Sequence, residues 1–176
     1  MLKEILENEV IYLREIKFSD VNQNYHRWMN NPQIIQFTES RFSRWTINKL
    51  KNYVQDIKHN PDYLFLAIVL KKNDKHIGNI KLGPINKFHK SADIGIMIGE
   101  ESFWGKGIAL QAIRLLVDYA FNKLGIHKIT AGVYSNNIGS IKAFKRAGFI
   151  IEGRRKKQCL FNEEYTDIVL LGIINE

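Results

Sequence analysis

The chain has little of what marks the simplest protein classes. One cysteine in 176 residues, Cys159, excludes an internal disulfide framework and suits a reducing compartment. Its ordinary reading is a small, half-buried strand residue. Only three prolines occur, Pro32, Pro61 and Pro84, so there is no proline-rich linker, and each is expected to mark an element boundary. No apolar run reaches the roughly 18–20 residues that a membrane helix needs. The opening MLKEILENEV has neither the apolar segment nor the cleavage site of a secretory signal. A soluble, cytoplasmic protein with no membrane partner is therefore expected. Five histidines, at positions 26, 59, 76, 89 and 127, show no metal-ligand spacing, and no metal is expected. No Gly-Lys-Ser/Thr sequence is present, which excludes an ATP P-loop. There is no internal repeat or low-complexity segment.

What is present is ordinary globular material. The composition, 45% hydrophobic and 25% charged, and the length suit one domain over residues 1–176 with a substantial core. The net charge of +8 admits an anionic cofactor, nucleic acid or an acidic surface as partner. Its one dense cluster, Arg154-Arg155-Lys156-Lys157, contains no aromatic residue and reads first as a solvated strand or turn face. A nucleic-acid-binding domain would need a continuous basic stripe interleaved with aromatics, so no specific nucleic acid is expected.

Hydrophobic periodicity outlines the elements. Residues 10–16 read as a first strand. Ser19 is placed to cap a helix through Tyr25 and Trp28 to about Asn30, with Pro32 as its stop. Thr46 is placed to cap a second helix whose Ile47, Leu50, Tyr53, Val54 and Ile57 share one face. Residues 63–71, YLFLAIVLK, are nearly all apolar, as in a strand buried on both faces. Residues 76–85 and 91–99 read as an antiparallel hairpin. A long helix follows, with Ile113, Leu116, Val117, Ala120 and Phe121 inward and Gly125 at its end. Residues 127–134 form another strand. Asn136 or Asn137 then opens a short helix with Ile141, Phe144 and Ala147 inward and Gly148 as its stop. Strands at about 149–159 and 164–174 close the chain. The order β-α-α-β-β-β-α-β-α-β-β predicts an α/β (α+β) fold, with one mixed, mostly antiparallel sheet flanked by helices.

The most informative stretch is SADIGIMIGEESFWGKGIALQAIRLLVDYAF, residues 91–121. It is a strand, a glycine turn and a long amphipathic helix. In the turn, Trp104-Gly105-Lys106-Gly107-Ile108-Ala109, the glycines let backbone approach a ligand, and the helix aims its unpaired N–H groups at the same spot. That is a phosphate cradle, and it points to a phosphorylated cofactor. Lys106 either adds charge there or simply stands in solvent.

Together these motifs resemble the GNAT superfamily of acyl-CoA-dependent N-acetyltransferases, over essentially the whole chain. The family's turn pattern, Gln/Arg-x-x-Gly-x-Gly/Ala, is Trp104-x-x-Gly107-x-Ala109 here. The tryptophan departs from the general pattern but is similar to the subgroup that includes ribosomal-protein N-terminal acetyltransferases. Asn137-x-x-Ser140, followed by Ala147-Gly148-Phe149, is the second match; Leu13-Arg14 and YHRWMNNP also look like that subgroup. The resemblance implies transfer of the acetyl group of acetyl-CoA to a primary amine, by direct attack through a tetrahedral intermediate. It implies that residues 105–109 hold the pyrophosphate and that Asn137 helps hold coenzyme A beside Ser140 and Phe144. It further implies that strands 91–99 and 127–134 splay apart, with freed backbone near Ile96, Met97 and Ile98 binding the pantetheine and facing the thioester carbonyl.

The acid–base groups stay open at this stage. A base is useful when the amine is protonated. Glu39, Glu100, Glu101 and His76 are candidates, each equally readable as a solvated or capping residue. Many family members carry a tyrosine, as the acid for the leaving thiolate, where this chain has Phe144. Ser140 or water is the substitute. Tyr12, Trp28, Phe37 and Trp45 either line an acceptor pocket or pack the core. Three acceptors fit: a protein N-terminal amine, a nucleotide-linked amino sugar, or a small amine such as a polyamine or aminoglycoside. Arg41, Arg44 or Lys81 would favour an anionic one. A non-catalytic acyl-CoA sensor is the alternative of another class. Monomer and homodimer are both open.

Overall fold

The structure is a computed structural model and describes residues 5–176. The first four residues belong to the expected domain and to the stretch read for a signal, and they lie outside the described residues. The elements are β1 (Leu6–Glu7), β2 (Ile11–Glu15), α1 (Gln23–Met29), α2 (Pro32–Ile35), α3 (Ile47–His59), β3 (Leu64–Leu70), β4 (His76–Asn86) and β5 (Ser91–Ile98). Then come α4 (Ile108–Asn122), β6 (Lys128–Tyr134), α5 (Ile138–Arg146), β7 (Ile150–Phe161) and β8 (Glu164–Ile174). Eight strands form one sheet in the order β1-β2-β3-β4-β5-β6-β8-β7. Every neighbouring pair is antiparallel except β5 and β6.

Packing follows the patterning. All seven residues of β3 are buried, because helices cover both faces of the sheet there. On one face Leu64, Leu66 and Ile68 pack with Ile113, Leu116 and Ala120 of α4 and with Phe144 of α5. On the other, Phe65 packs with Tyr25 and Trp28 of α1, Trp45, and Leu50 and Val54 of α3. Each fully buried aliphatic side chain contributes about 1.5–3 kcal/mol over leaving it in water.

Two boundaries differ from expectation. Ser19 lies in a 3-10 turn, Phe18–Asp20, and α1 is capped instead by Asn22, whose side chain accepts from the N–H groups of Asn24 and Tyr25. Asp20 explains the shift. It is drawn into a paired, doubly hydrogen-bonded contact with Arg14, both at 2.7 Å, and its carboxylate also takes the Lys17 N–H. Pro32 does not stop a helix but opens α2, where its missing N–H costs nothing. Thr46, as expected, caps α3, accepting from Lys49 N–H.

Candidate active site

The sheet divides in the middle. β5 and β6 pair over only three positions, ending at Asp93 opposite Thr130, whose hydroxyl bonds the Asp93 carboxylate. Beyond that stitch, the two strands have no paired positions. A cavity of about 570 Å³ fills the wedge, lined by residues 94–98 of β5, residues 132–134 of β6, the turn before α4, and α5. Segment 33–38 closes its far side.

Backbone direction inside the wedge can be read from contacts. The Ile98 carbonyl accepts the Trp104 indole N–H at 2.9 Å, and Trp104 lines the cavity. The Met97 carbonyl instead crowds Gly78 on β4. Strand groups alternate sides, so the amides of Ile96 and Ile98 face the wedge. Neither amide has a partner on β6, because the pairing of β5 with β6 ends at Asp93. Gly95 and Gly132 leave the walls without side chains, and a Cβ on Gly95 would meet nothing within 4 Å.

At the wedge's mouth on the α4 side, Gly105 and Gly107 adopt left-handed backbone, with φ of 71° and 77°. Gly107 is the N-cap of α4, so the first N–H groups of that helix have no partner within it and point outward as an anion site. Asn137 caps α5, its side-chain oxygen accepting the Ser140 N–H at 3.1 Å. Phe144 is buried and packs edge-to-face on Phe149, with ring centroids 5.0 Å apart. These features suit coenzyme A: an anion cradle, a slot with free backbone amides, and walls that lack side chains where a chain must pass.

Of the residues singled out from sequence, the cavity wall gathers Ile96, Met97, Ile98, Trp104, Gly105, Gly107, Ile108, Ala109, Asn137, Ser140 and Phe144. Lys106 lies outside that wall, with its ammonium 5.7 Å from the Phe103 ring. Glu100 also lies outside it. Its carboxylate takes Lys75 at 2.7 Å, Arg27 at 3.0 Å and the Trp28 indole at 3.1 Å. Burial alone would raise its pKa, but these partners lower it below the usual glutamate value. Glu101 accepts from Asn31. His76 is half-buried, edge-on to Trp28, its Nε2 shared between the Gly78 carbonyl and the Asn79 side-chain oxygen. Desolvation depresses its pKa.

Glu39 stands at the opposite mouth, beside the segment 33–38 wall. Its carboxylate accepts the Tyr134 hydroxyl at 2.9 Å, and that oxygen in turn accepts Arg41 at 3.0 Å. Phe37, Tyr134 and Phe161 form an aromatic rim there, with Phe37 stacked on Phe161 at 5.0 Å. Tyr134 was not singled out from sequence. The available signal was period two: it follows the cavity-lining Gly132 on the same face of β6. A second groove, of about 600 Å³, adjoins through Gln36 and is lined also by Arg41, Arg44, Phe42 and the β7–β8 turn.

Among the described residues no three His, Cys, Asp or Glu side chains gather where a metal could be held, and no helix is long and apolar enough to cross a membrane.

A splayed parallel pair beside an anion-binding helix start defines a coenzyme-A-dependent acyltransferase site, and comparison with known proteins agrees. The family model described as the acetyltransferase (GNAT) domain matches residues 11–150, and the chain belongs to that family. It is an acetyl-CoA-dependent N-acyltransferase. It is 31% identical, over 97% of both chains, to a probable N-acetyltransferase, YjcK, of Bacillus subtilis. Among solved structures it is similar to a spermidine N-acetyltransferase from Vibrio cholerae in complex with CoA and spermine. That match has a TM-score of 0.85 and 25% identity, and covers 95% of this chain and 96% of that one. It is equally similar to a ribosomal-protein-S5-alanine acetyltransferase from Vibrio fischeri, with a TM-score of 0.85, 25% identity, and coverage of 99% and 98%.

Proposed function

We propose that this acetyltransferase acts on a single, unhindered α-amine at the N-terminus of a peptide. The observation that carries this reading is the charge of the acceptor mouth. Among the described residues no carboxylate lines the cavity wall, and Glu39 stands at the rim. The adjoining groove presents Arg41 and Arg44 against a single acid, Glu163. A polyamine brings several ammonium groups and would meet more cations than carboxylates. A peptide brings one ammonium, and its extended backbone suits a groove. An α-amine, with a pKa of about 7.7–8.0, already offers a free lone pair in part at neutral pH, so a strong base is dispensable.

Acetyl-CoA supplies an activated acetyl thioester. The chain's own residues hold it: the amides of Gly107, Ile108 and Ala109 for the pyrophosphate, Asn137 through the start of α5, and the wedge amides for the pantetheine. The Ile96 and Ile98 N–H groups face the site of developing oxyanion charge. Glu39 binds the incoming ammonium and takes its proton. Ser140, in the first turn of α5, or water returns a proton to the thiol. The chain works as a single domain in the reducing cytosol, where Cys159 remains a free thiol.

A polyamine acceptor is the second reading, favoured by the likeness to the spermidine enzyme. Acetyl-CoA-dependent thiol release, screened against ribosomal-protein N-terminal peptides, spermidine, spermine, nucleotide-linked amino sugars and aminoglycosides, separates the two. Turnover with peptides alone is expected. Preferred turnover of spermidine overturns the peptide reading. Tight acetyl-CoA binding with no turnover of any amine would favour a sensor.

A further inference from the structure

Tyr134 ends β6 almost fully buried, at 6% exposure, yet its hydroxyl reaches the acceptor rim. Two separate segments, residues 37–41 and β7, meet on it. Arg41 donates to its oxygen from the segment before α3, and donates also to the carbonyls of Gln36 and, on β7, Leu160. The Arg41 guanidinium lies 5.0 Å from the Tyr134 ring centroid, which fixes it by a cation–π contact as well. Because Arg41 occupies the phenol oxygen as a donor, the one phenolic hydrogen is left for Glu39. The chain is therefore directional: Arg41 to Tyr134, Tyr134 to Glu39 Oε1. Glu39 Oε2 takes no protein hydrogen bond among the described residues.

We infer that Tyr134 is the positioning residue of the acceptor site: it pins one oxygen of Glu39 so that the other meets the acceptor's ammonium. This rests on the reading of Glu39 as the acceptor-side carboxylate. Glu39 itself is exposed and would otherwise swing freely in solvent; a fixed donor removes that freedom before the acceptor arrives. Burial, the neighbouring Cys159 thiol and the Glu39 carboxylate raise the phenol's pKa, so the donor stays protonated throughout the neutral range. The buried ring, packed with Phe37 and Phe161, supplies the rigid mount. Arg41 completes it and places a positive charge beside Glu39, which discourages a second cation on the acceptor.

The test is a double-mutant cycle on whichever amine turns over, with Tyr134→Phe, Glu39→Gln and the pair. Tyr134→Phe keeps the ring and removes only the hydroxyl. It is expected to raise the acceptor KM about tenfold, the effect of losing one hydrogen bond to a charged group. The KM for acetyl-CoA and the melting temperature should stay unchanged. In the Glu39→Gln background the same change should cost nothing further. Penalties that multiply, or a Tyr134→Phe enzyme equal to the parent, overturn the positioning role. A Glu39→Gln enzyme as active as the parent overturns the reading of Glu39. The amine screen, a separate measurement, decides the acceptor class.

Discussion

The indole N–H of Trp104 donates to the Ile98 carbonyl at 2.9 Å, tying the turn before α4 to the open end of β5. One bond thus couples the glycine turn to the strand whose Ile96 and Ile98 amides face the wedge. Trp104 is 42% exposed, so little core packing depends on it. Trp104→Phe removes the donor and keeps most of the ring. We expect a KM for acetyl-CoA raised several-fold, a smaller loss in kcat, and a melting temperature within about 2 °C of the parent, as for a surface change of about 0.5 kcal/mol. Steady-state kinetics with acetyl-CoA varied, beside a thermal melt, reads both.

Gly107 is required by its backbone rather than by space. Its φ is 77°, and a Cβ there would meet nothing within 4 Å. Gly107→Ala must either hold a left-handed conformation, at about 1 kcal/mol, or let the turn relax and misdirect the amides of α4. The expected outcome is weaker acetyl-CoA binding by calorimetry, with a modest drop in melting temperature. Binding equal to the parent would sink the assignment of this turn as the pyrophosphate cradle.

How much of this was legible beforehand follows from the range of the forces involved. The glycine turn, the caps at Thr46 and Asn137 and the double-sided burial of 64–70 are local, and each could be read from neighbouring residues. Asn22 rather than Ser19 caps α1 because Asp20 answers to Arg14, on the adjacent strand, a tertiary demand that capping propensity does not encode. Glu100 read either as a base candidate or as a solvated or capping residue; Arg27, Trp28 and Lys75 converge on it from residues 25–73 positions away, a pairing no local pattern encodes. Tyr134 was missed for the same reason: its partners Glu39 and Arg41 lie more than 90 residues earlier.

Acid sensitivity should arrive in two stages. His76 is held neutral by burial, with a folded pKa below its ordinary 6.5. As pH falls through 6.5, the unfolded chain takes up a proton that the folded chain refuses, so stability drops. Asp20 behaves as carboxylates usually do. Burial would raise its pKa, but Arg14 and the Lys17 N–H bring the net value below 3.8. Its contribution is complete above that value and is lost as pH falls through the folded pKa. Glu100 acts alike below 4.5. Urea midpoints measured from pH 8 to 3 should decline first below about 6.5 and again below about 4.5. His76→Gln should flatten the first decline and leave the second. A first decline that survives this substitution would assign it to another group.

Two glycines on one strand and its exit should separate folding from catalysis. Gly99 follows β5, and a Cβ on it would lie 2.1 Å from the Trp28 indole, far inside van der Waals contact distance. Trp28 is 1% exposed and pinned by its N–H to Glu100, so it cannot yield. Gly99→Ala should therefore cost about 1–3 kcal/mol, the usual range for overpacking. A protein of this length then melts some 2–10 °C lower. Gly95, four residues earlier, faces the wedge with open space before it. Gly95→Ala should leave the melting temperature unchanged or slightly raised, since alanine restricts the unfolded chain more than glycine. Its effect should fall on acetyl-CoA, raising KM as the added methyl narrows the slot. If Gly95→Ala lowers stability and spares the KM, the cofactor does not run along this face of β5.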